Sequence, residues 1–364
     1  MDHSTKGNAL RIASVGAAFP SHRYRQEEIL EQLGVLWNQN GEFSKRLAAL
    51  HGNTRVQSRH LSLPLEKYGR METFGQANDT WIGTALDVGE AAVRDALERA
   101  GLEASDIGAL FFVTVTGLAT PSIDARLMNR LDFRPDLRRS PLFGLGCVAG
   151  AAGLSRAADY VRAYPGQAAV LLSVELCSLT FQQADRSVPN MIATGLFGDA
   201  ASAVVLCGDE FARTHELEGT LPEIVATHSV FYPDSEDVMG WTVSENGFKL
   251  VLSSAVPEVV RKHVGRDVDA LLTSHGLERD DVSAWICHSG GPKVLTAVQE
   301  SLGLTENDLA VTWSNLERFG NVSSASVLLV LKDTIEEHHP PRGSYGVLLA
   351  LGPGFCAELV LLRF

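Results

Sequence analysis

Hydrophobic positions along the chain change repeatedly between a helical spacing and short continuous runs. Residues 87–101 (DVGEAAVRDALERAG) carry apolar side chains at helical spacing and end on a glycine that suits a helix C-terminus. Residues 109–117 (ALFFVTVTG) form a β-branched and aromatic run that is typical of a buried strand. Residues 153–164 predict a helix that stops at Pro165, and residues 168–176 predict the strand after it. This alternation predicts an α/β protein.

One cysteine lies at a junction between two such elements. The stretch FGLGCVAGAAG places Cys147 where a predicted strand over residues 140–143 runs into a predicted helix. Unpaired N–H groups and a partial positive charge at a helix start stabilise a thiolate. A free cysteine is more often a small buried apolar residue, so its position at the junction is what makes Cys147 a candidate nucleophile.

Two segments of the first half recur in the second half at a nearly constant spacing. GLEASDIGALFFV (101–113) matches the pattern of GLERDDVSAWICH (276–288), 175 residues further on. FGLGCVAGAAG (143–153) matches ERFGNVSSASV (317–327), so that Asn321 falls 174 residues after Cys147. The spacing predicts two copies of one unit, divided as residues 1–210 and 211–364. Chance similarity between glycine-containing turns is the alternative explanation.

Composition narrows the class of protein. The chain has 364 residues, 45% of them hydrophobic, and a formal net charge of −13, which argues against a nucleic-acid-binding surface as its main function. No apolar run reaches the roughly 18 residues of a membrane span, and the N-terminus lacks the apolar core of a signal peptide. We therefore expect a cytoplasmic protein. The five cysteines show no C-x-x-C pair, so neither a zinc site nor a disulfide framework is indicated.

Side-by-side packing of the two predicted units would bring Cys147, His288 and Asn321 together. An imidazolium at His288 would stabilise the thiolate of Cys147 further, and a thiolate exchanges readily with thioesters. Most histidines are surface or satisfied core residues, and an asparagine at a helix start is most often an N-cap. The Gly-Gly-Pro-Lys turn near His288 favours a functional role for this histidine.

Four motifs together resemble the type III polyketide synthases, the chalcone-synthase-like branch of the thiolase superfamily. They are GLGCVAG around Cys147, HSGGPK from His288, GNVSSA around Asn321, and the C-terminal GPGF. The resemblance implies a five-layered αβαβα thiolase fold of two pseudo-duplicated halves and a homodimer. It also implies that an acyl group is loaded on Cys147 while His288 and Asn321 hold malonyl-CoA as it loses CO₂. No metal or redox cofactor is implied, because the sequence shows neither a ligand cluster nor a nucleotide-binding glycine fingerprint, and coenzyme A thioesters are the substrates.

The resemblance extends to further positions, one residue at a time. Phe197 resembles the gatekeeper between the coenzyme A tunnel and the cavity, although an ordinary core phenylalanine is the alternative. Thr120 and Pro121 resemble the loop that reaches across the dimer. The remaining cavity positions implied are Cys177, Thr180, Leu250, Ser323, Gly352, Pro353 and Gly354.

Coenzyme A needs cationic partners for its phosphates. Arg46, Arg55 and Arg59 lie in a basic stretch suited to them, but solvated surface arginines explain the same pattern. Ser289 departs from the family, where proline or alanine usually follows the histidine. That departure concerns the geometry of the loop and not the chemistry.

The substrate is predicted less directly. Several stretches resemble bacterial alkylpyrone or alkylresorcinol synthases, which implies a fatty acyl-CoA starter, malonyl-CoA extenders and an apolar tunnel near Thr120, Cys177 and Thr180. One alternative is a tetrahydroxynaphthalene or phloroglucinol synthase that uses malonyl-CoA alone. A ketoacyl synthase III fits the glycine-proline motifs poorly, and a non-catalytic acyl-CoA-binding protein would not need all three candidate catalytic residues.

Overall fold

The computed structural model describes residues 9–38, 41–217 and 221–364. Its strands are β1 (Leu10–Ala18), β2 (His22–Arg25), β3 (Ser58–Leu61), β4 (Ile107–Thr114), β5 (Arg138–Phe143), β6 (Ala168–Leu176), β7 (Asp199–Gly208), β8 (Glu223–Phe231), β9 (Met239–Ser244), β10 (Gly247–Leu252), β11 (Val282–Cys287), β12 (Tyr345–Gly352) and β13 (Cys356–Arg363). Its helices are α1 (Gln26–Leu36), α2 (Glu42–Gly52), α3 (Leu65–Tyr68), α4 (Phe74–Ala100), α5 (Ile123–Leu127), α6 (Ala149–Ala163), α7 (Val188–Leu196), α8 (Asp209–Thr214), α9 (Val256–Thr273), α10 (Pro292–Leu302), α11 (Ala310–Phe319) and α12 (Ser324–Asp333).

A mixed sheet runs through the whole molecule. Within the described ranges it has nine strands in the order β11-β12-β13-β8-β1-β7-β6-β4-β5. Strand β4 is parallel to β5 and β6, and β11 is parallel to β12, whereas the other neighbours are antiparallel. In the described part of the chain, strands β1 and β8 pair over two positions, Leu10 with Ile224 and Arg11 with Glu223, and the N–H of Ile12 donates to the carbonyl of Pro222. The sheet therefore consists of two halves connected by a narrow seam.

Helices cover both faces of each half of the sheet. Along β4, Leu110 and Phe112 face α4, while Phe111 and Val113 face a central core that contains α6 and α12. The second half packs its inner face on the same central helices and its outer face on α9 and α10. Both faces of the strands are buried, which explains their continuous apolar runs. The predicted five-layered αβαβα arrangement is thereby confirmed.

The two central helices approach each other unusually closely. A Cβ atom on Gly150 of α6 would lie 2.2 Å from the carbonyl oxygen of Ser324, the first residue of α12. Only a residue without a side chain fits there, which accounts for the glycine at position 150. This contact brings the loop before each helix to the same place in the molecule.

The predicted elements agree with the structure in their type and differ at some ends. Strand β6 has the predicted bounds 168–176, and the cap at Gly101 has the expected left-handed conformation, with φ +66°. Helix α4 begins at Phe74, well before the predicted start at residue 87. The repeat is confirmed, because β4 and β11 each follow a short 3-10 turn with a capping box and begin 175 residues apart. No helix in the described ranges is both long and apolar enough to cross a membrane.

Candidate active site

Cys147 lies in a 3-10 turn, Gly146–Val148, that leads directly into α6. Gly146 has φ +58°, and a Cβ atom on it would lie 2.5 Å from the Pro353 ring, so glycine is required for both conformation and space. The Cys147 thiol contacts the hydroxyl of Ser323 at 3.6 Å. The cysteine is therefore held at the start of α6, as the sequence predicts.

His288 follows the last residue of β11. Its backbone N–H donates to Leu349 at 2.9 Å, and its side chain is 7% exposed. Nδ1 is buried and has no hydrogen-bond partner among the described residues. Burial lowers the pKa of His288 to about 4 and raises the pKa of Cys147 to about 12.

These shifts correct one expectation about charge. The sequence predicts an imidazolium beside a thiolate, whereas burial favours the neutral form of each group. The hydrogen bond between the Cys147 thiol and the Ser323 hydroxyl acts to lower the pKa of Cys147 but is a smaller effect than burial. A proton passed from Cys147 to His288 would charge both groups without changing the net charge of the site.

Asn321 connects the loop before α12 to the loop after β11. Its Nδ2 donates to the carbonyl of Gly290 at 3.3 Å, and its Oδ1 accepts from the backbone N–H of Ser323 at 2.8 Å. Ser323 has φ +48° and ψ −128°, outside the small left-handed region open to L-residues. The strained backbone places the Ser323 hydroxyl against Cys147 and its N–H against Asn321.

The three candidate catalytic side chains line one cavity, which we call the triad chamber. Phe197, Leu250, Ser323 and Pro353 of the predicted cavity residues line it too. A neighbouring cavity, the second chamber, contains Cys177 and Thr180 and is otherwise largely apolar. Phe197, Leu250 and Trp241 border both chambers and form the wall between them.

Other predicted cavity residues have different places. Thr120 and Pro121 are exposed on the loop between β4 and α5, and neither chamber in the described part of the chain includes them. Gly352 packs on Val148, where a Cβ atom would lie 2.6 Å from the Val148 Cβ. Gly354 turns the chain between β12 and β13 with φ +66°. The two glycines thus shape the backbone around Cys147.

Two of the three predicted coenzyme A arginines lie on the surface. Arg46 is exposed on α2. Arg55 pairs with Glu306 at 2.8 Å and with Glu317 at 3.0 Å, and its guanidinium stacks over Trp313. The charge of Arg55 is therefore already balanced within the protein.

The prediction for Arg59 is wrong. Its side chain is 1% exposed and donates to the carbonyl of Phe197 and to Gln26, each at 2.7 Å. A guanidinium buried in this way cannot reach the phosphates of a coenzyme A that arrives from solvent. Within β3, Ser58 and Leu61 are buried together with Arg59, and the polar sequence of this strand gave no signal of that burial.

Two residues near the candidate catalytic residues, Glu175 and Trp241, were not predicted from the sequence. Glu175 is fully buried at the end of β6 and accepts hydrogen bonds from Ser324, Thr116 and the backbone of Val115. Burial raises its pKa to about 7. Trp241 was not singled out, although a tryptophan in the short hairpin of β9 and β10 was the available signal.

The arrangement combines a nucleophile with two neutral hydrogen-bonding groups in one buried space. Neutral imidazole and carboxamide N–H groups can stabilise an oxyanion or enolate without an opposing charge, and a low-dielectric site strengthens the effect. Together with two duplicated halves around two central helices, this site defines a thiolase-fold condensing enzyme.

Comparisons with known proteins identify the family. The N-terminal domain of chalcone and stilbene synthases matches residues 1–210, and the C-terminal domain of that family matches residues 223–364. The chain belongs to the chalcone and stilbene synthases, the type III polyketide synthases, which are acyltransferases that catalyse decarboxylative condensation of coenzyme A thioesters.

Individual relatives cover nearly the whole chain. A 1,3,6,8-tetrahydroxynaphthalene synthase of Streptomyces peucetius is 46% identical over 100% of this chain and 95% of its own length. A putative chalcone synthase of Bacillus subtilis is 39% identical over 96% and 97%. The crystal structure of 1,3,6,8-tetrahydroxynaphthalene synthase from Streptomyces coelicolor superposes with a TM-score of 0.90 at 29% identity, covering 97% of this chain and 99% of that one. The expected particular likeness to alkylpyrone synthases is therefore not supported.

Proposed function

We propose that this enzyme builds its polyketide from malonyl-CoA alone and closes it to a polyhydroxylated aromatic product. The observation that carries the choice of starter is the 46% identity, over the entire chain, to a tetrahydroxynaphthalene synthase. Malonyl-CoA as both starter and extender needs no dedicated site for a large starter. A wall of three bulky side chains between the chambers is in keeping with a small starter.

Loading of the enzyme follows from the neutral pair of Cys147 and His288. As the sulfur attacks the thioester carbonyl, its proton passes to the imidazole. The tetrahedral oxyanion collapses, the bond to coenzyme A breaks, and the imidazolium returns the proton to the departing thiolate. The acyl group is then held on Cys147 at the start of α6, where the helix dipole stabilises the negative charge that develops.

Extension of the polyketide chain uses the side chains of His288 and Asn321. A second malonyl-CoA presents its thioester oxygen to the N–H groups of His288 and Asn321, and the bond to its carboxylate breaks with release of CO₂. The electron pair moves into an enolate, whose oxygen those donors stabilise. The enolate carbon attacks the acyl group on Cys147, and the sulfur leaves as the thiolate, which takes up a proton from solvent to restore the thiol. The lengthened chain is then bound to coenzyme A and can reload.

The second chamber favours a second candidate, a fatty acyl starter that gives alkylpyrones. Its lining includes a row of apolar side chains from α1, β3 and α3: Ile29, Leu33, Leu36, Leu61 and Leu65. Such a lining suits an alkyl chain. This candidate requires the acyl chain to pass Phe197, Trp241 and Leu250.

A homodimer in the cytoplasm is part of the proposal. The exposed loop of Thr120 and Pro121 supports contact with a second copy. Strand β5 ends the sheet with a free edge, and Phe143 at its end is 50% exposed. Molar mass measured by light scattering should correspond to two chains, and a monomer would contradict this part.

One incubation separates the two candidate functions. Labelled malonyl-CoA is supplied alone and with fatty acyl-CoAs of graded length, beside a Cys147→Ala control, and products are identified by mass spectrometry. We expect one aromatic product that forms without an added starter and disappears in the control. Products whose mass follows the added acyl chain would support the alkylpyrone function instead. Product formation by Cys147→Ala would refute the assignment of the nucleophile.

A further inference from the structure

The backbone carbonyl groups of Gly195, Leu196 and Phe197 lie at the C-terminal end of helix α7. Each accepts a hydrogen bond from a different part of the chain. The carbonyl of Gly195 accepts from the side chain of Gln26 at 2.7 Å. The carbonyl of Leu196 accepts from the backbone N–H of Asn321 at 2.9 Å. The carbonyl of Phe197 accepts from Arg59 at 2.7 Å. Helix-terminal carbonyls lack partners within the helix, so these three donors decide how α7 ends.

The same place connects the wall of the triad chamber to a candidate catalytic residue. Phe197 and Asn321 form an isolated parallel bridge, completed by the N–H of Gly198 donating to the Asn321 carbonyl at 3.0 Å. Asn321 is thus bound through its backbone to the residues on both sides of Phe197. A shift in the end of α7 would move the Asn321 carboxamide and the Phe197 ring together.

Arg59 lies where the end of α7 meets the bridge between Phe197 and Asn321. Its second guanidinium nitrogen donates to Gln26, so the two donors to α7 also bind each other. A Cβ atom on Gly320 would lie 2.9 Å from Arg59 Cδ, and one on Gly198 would lie 3.4 Å from Arg59 Cβ. Backbone lies closer still, because a Cβ atom on Gly320 would be 2.5 Å from the Leu196 carbonyl oxygen and one on Gly198 would be 2.4 Å from that of Phe319. Both glycines therefore allow the chain segments and the arginine stem to pack closely at the bridge.

The charge of Arg59 suits its position. Burial lowers its pKa to about 10, while Asp199 acts in the opposite direction, so the guanidinium remains charged at neutral pH. Asp199 is itself held by Ser62 and Ser178. A cation at the C-terminal end of a helix is stabilised by the helix dipole, and here it donates directly to a terminal carbonyl.

We propose that Arg59, braced by Gln26, is a positioning residue for decarboxylation: it fixes the end of α7 and thereby the places of Asn321 and Phe197 in the triad chamber. The proposal rests on the role given to Asn321 in the proposed function. Arg59 lines the second chamber and is absent from the lining of the triad chamber, where the reacting groups lie. Its loss should misplace the enolate-binding amide more than Cys147, which lies at the start of α6 and meets the Asn321 loop through the Ser323 hydroxyl.

Kinetics of the full-length enzyme test this role. CO₂ release from malonyl-CoA is measured for the wild type, Arg59→Met, Arg59→Lys, Gln26→Leu and Asn321→Ala, together with the rate at which iodoacetamide alkylates Cys147. Arg261→Met is the control, because Arg261 is exposed on α9 and its ion pair in the described part of the chain is with Glu300. A small misplacement of a group at a reacting centre costs up to about a hundredfold in rate.

We expect Arg59→Met to lower kcat for CO₂ release about tenfold or more, with KM and the alkylation rate within about twofold of the wild type. Arg59→Lys should recover part of kcat, because an ammonium can serve one of the two acceptors. An unchanged kcat in Arg59→Met, or a raised KM at unchanged kcat, would overturn the proposal. The second result would make Arg59 a substrate-binding residue.

Two variants keep the outcomes separable. If Arg59→Met does not fold, Gln26→Leu carries the test, because it keeps Arg59 and removes both the brace and the donor to the Gly195 carbonyl. Lowered kcat at constant KM supports the proposal, and unchanged kcat overturns it. If Asn321→Ala releases CO₂ at the wild-type rate, the role of Asn321 in the proposed function fails. If Asn321→Ala is inactive and Arg59→Met is normal, that function stands and only the positioning role fails.

Discussion

Ser323 offers a direct test of strain stored beside Cys147. Its φ of +48° and ψ of −128° suit glycine far better than an L-residue, yet a serine stands there. Two substitutions separate the hydroxyl from the backbone. Ser323→Ala removes the hydroxyl and keeps the strain, whereas Ser323→Gly removes both. The difference in stability between the two variants therefore reports the strain.

The expected difference follows from three contributions. A residue in such a conformation costs about 1–3 kcal/mol, and the upper end applies because ψ lies outside the left-handed region. Glycine loses more backbone entropy on folding, about 0.5–1 kcal/mol relative to alanine. Loss of the buried Cβ costs about 0.8 kcal/mol more, since Ser323 is only 3% exposed. Ser323→Gly should therefore be more stable than Ser323→Ala by about 1 kcal/mol.

Urea unfolding followed by tryptophan fluorescence, at one protein concentration, measures this difference. Both variants should also react more slowly with iodoacetamide at Cys147, and to the same extent, because the Ser323 hydrogen bond that lowers the pKa of the thiol is gone in both. An alanine variant as stable as the glycine variant would refute the strain argument. Unequal alkylation rates would show that backbone conformation, and not the hydroxyl, controls the cysteine.

Three further predictions concern the buried acid and the two chambers. Burial raises the pKa of Glu175 from 4.5 to about 7, so the folded protein retains a proton that the unfolded chain releases. The wild type should lose about 3 kcal/mol of stability relative to Glu175→Gln between pH 5 and 8, and parallel pH profiles in urea unfolding would contradict this. Trp241→Gly removes part of the wall between the chambers and should give longer products by mass spectrometry, whereas an unchanged product would show that Trp241 does not limit chain length. Cys177→Phe fills the second chamber and should shorten the products, and retention of the full-length product would exclude that chamber as the place where the chain grows.

Much of the site is encoded in short local patterns. The glycines around Cys147 are required within a few residues of it, and the recurrence of the same unit places His288 and Asn321 at matching positions in the second half. The apolar runs of β4 and β6 are long enough to be recognised as strands buried on both faces. Fold class and the candidate catalytic residues could therefore be predicted from the chain.

The surroundings of these residues depend on contacts between distant segments, which periodicity does not report. Arg59 is a basic residue in a basic stretch, yet its carbonyl acceptor lies 138 residues away, and only the packing of β3 against α7 makes it a buried brace. Trp241 becomes a chamber wall because a separate hairpin folds over Phe197. Glu175 gains its raised pKa from burial beneath α12. Sequence by itself determined which residues could do chemistry and which elements present them. Tertiary packing decided the charge state of these residues, the space around them and their hydrogen-bond partners. The reason is that desolvation and close contact arise only once segments distant in sequence meet.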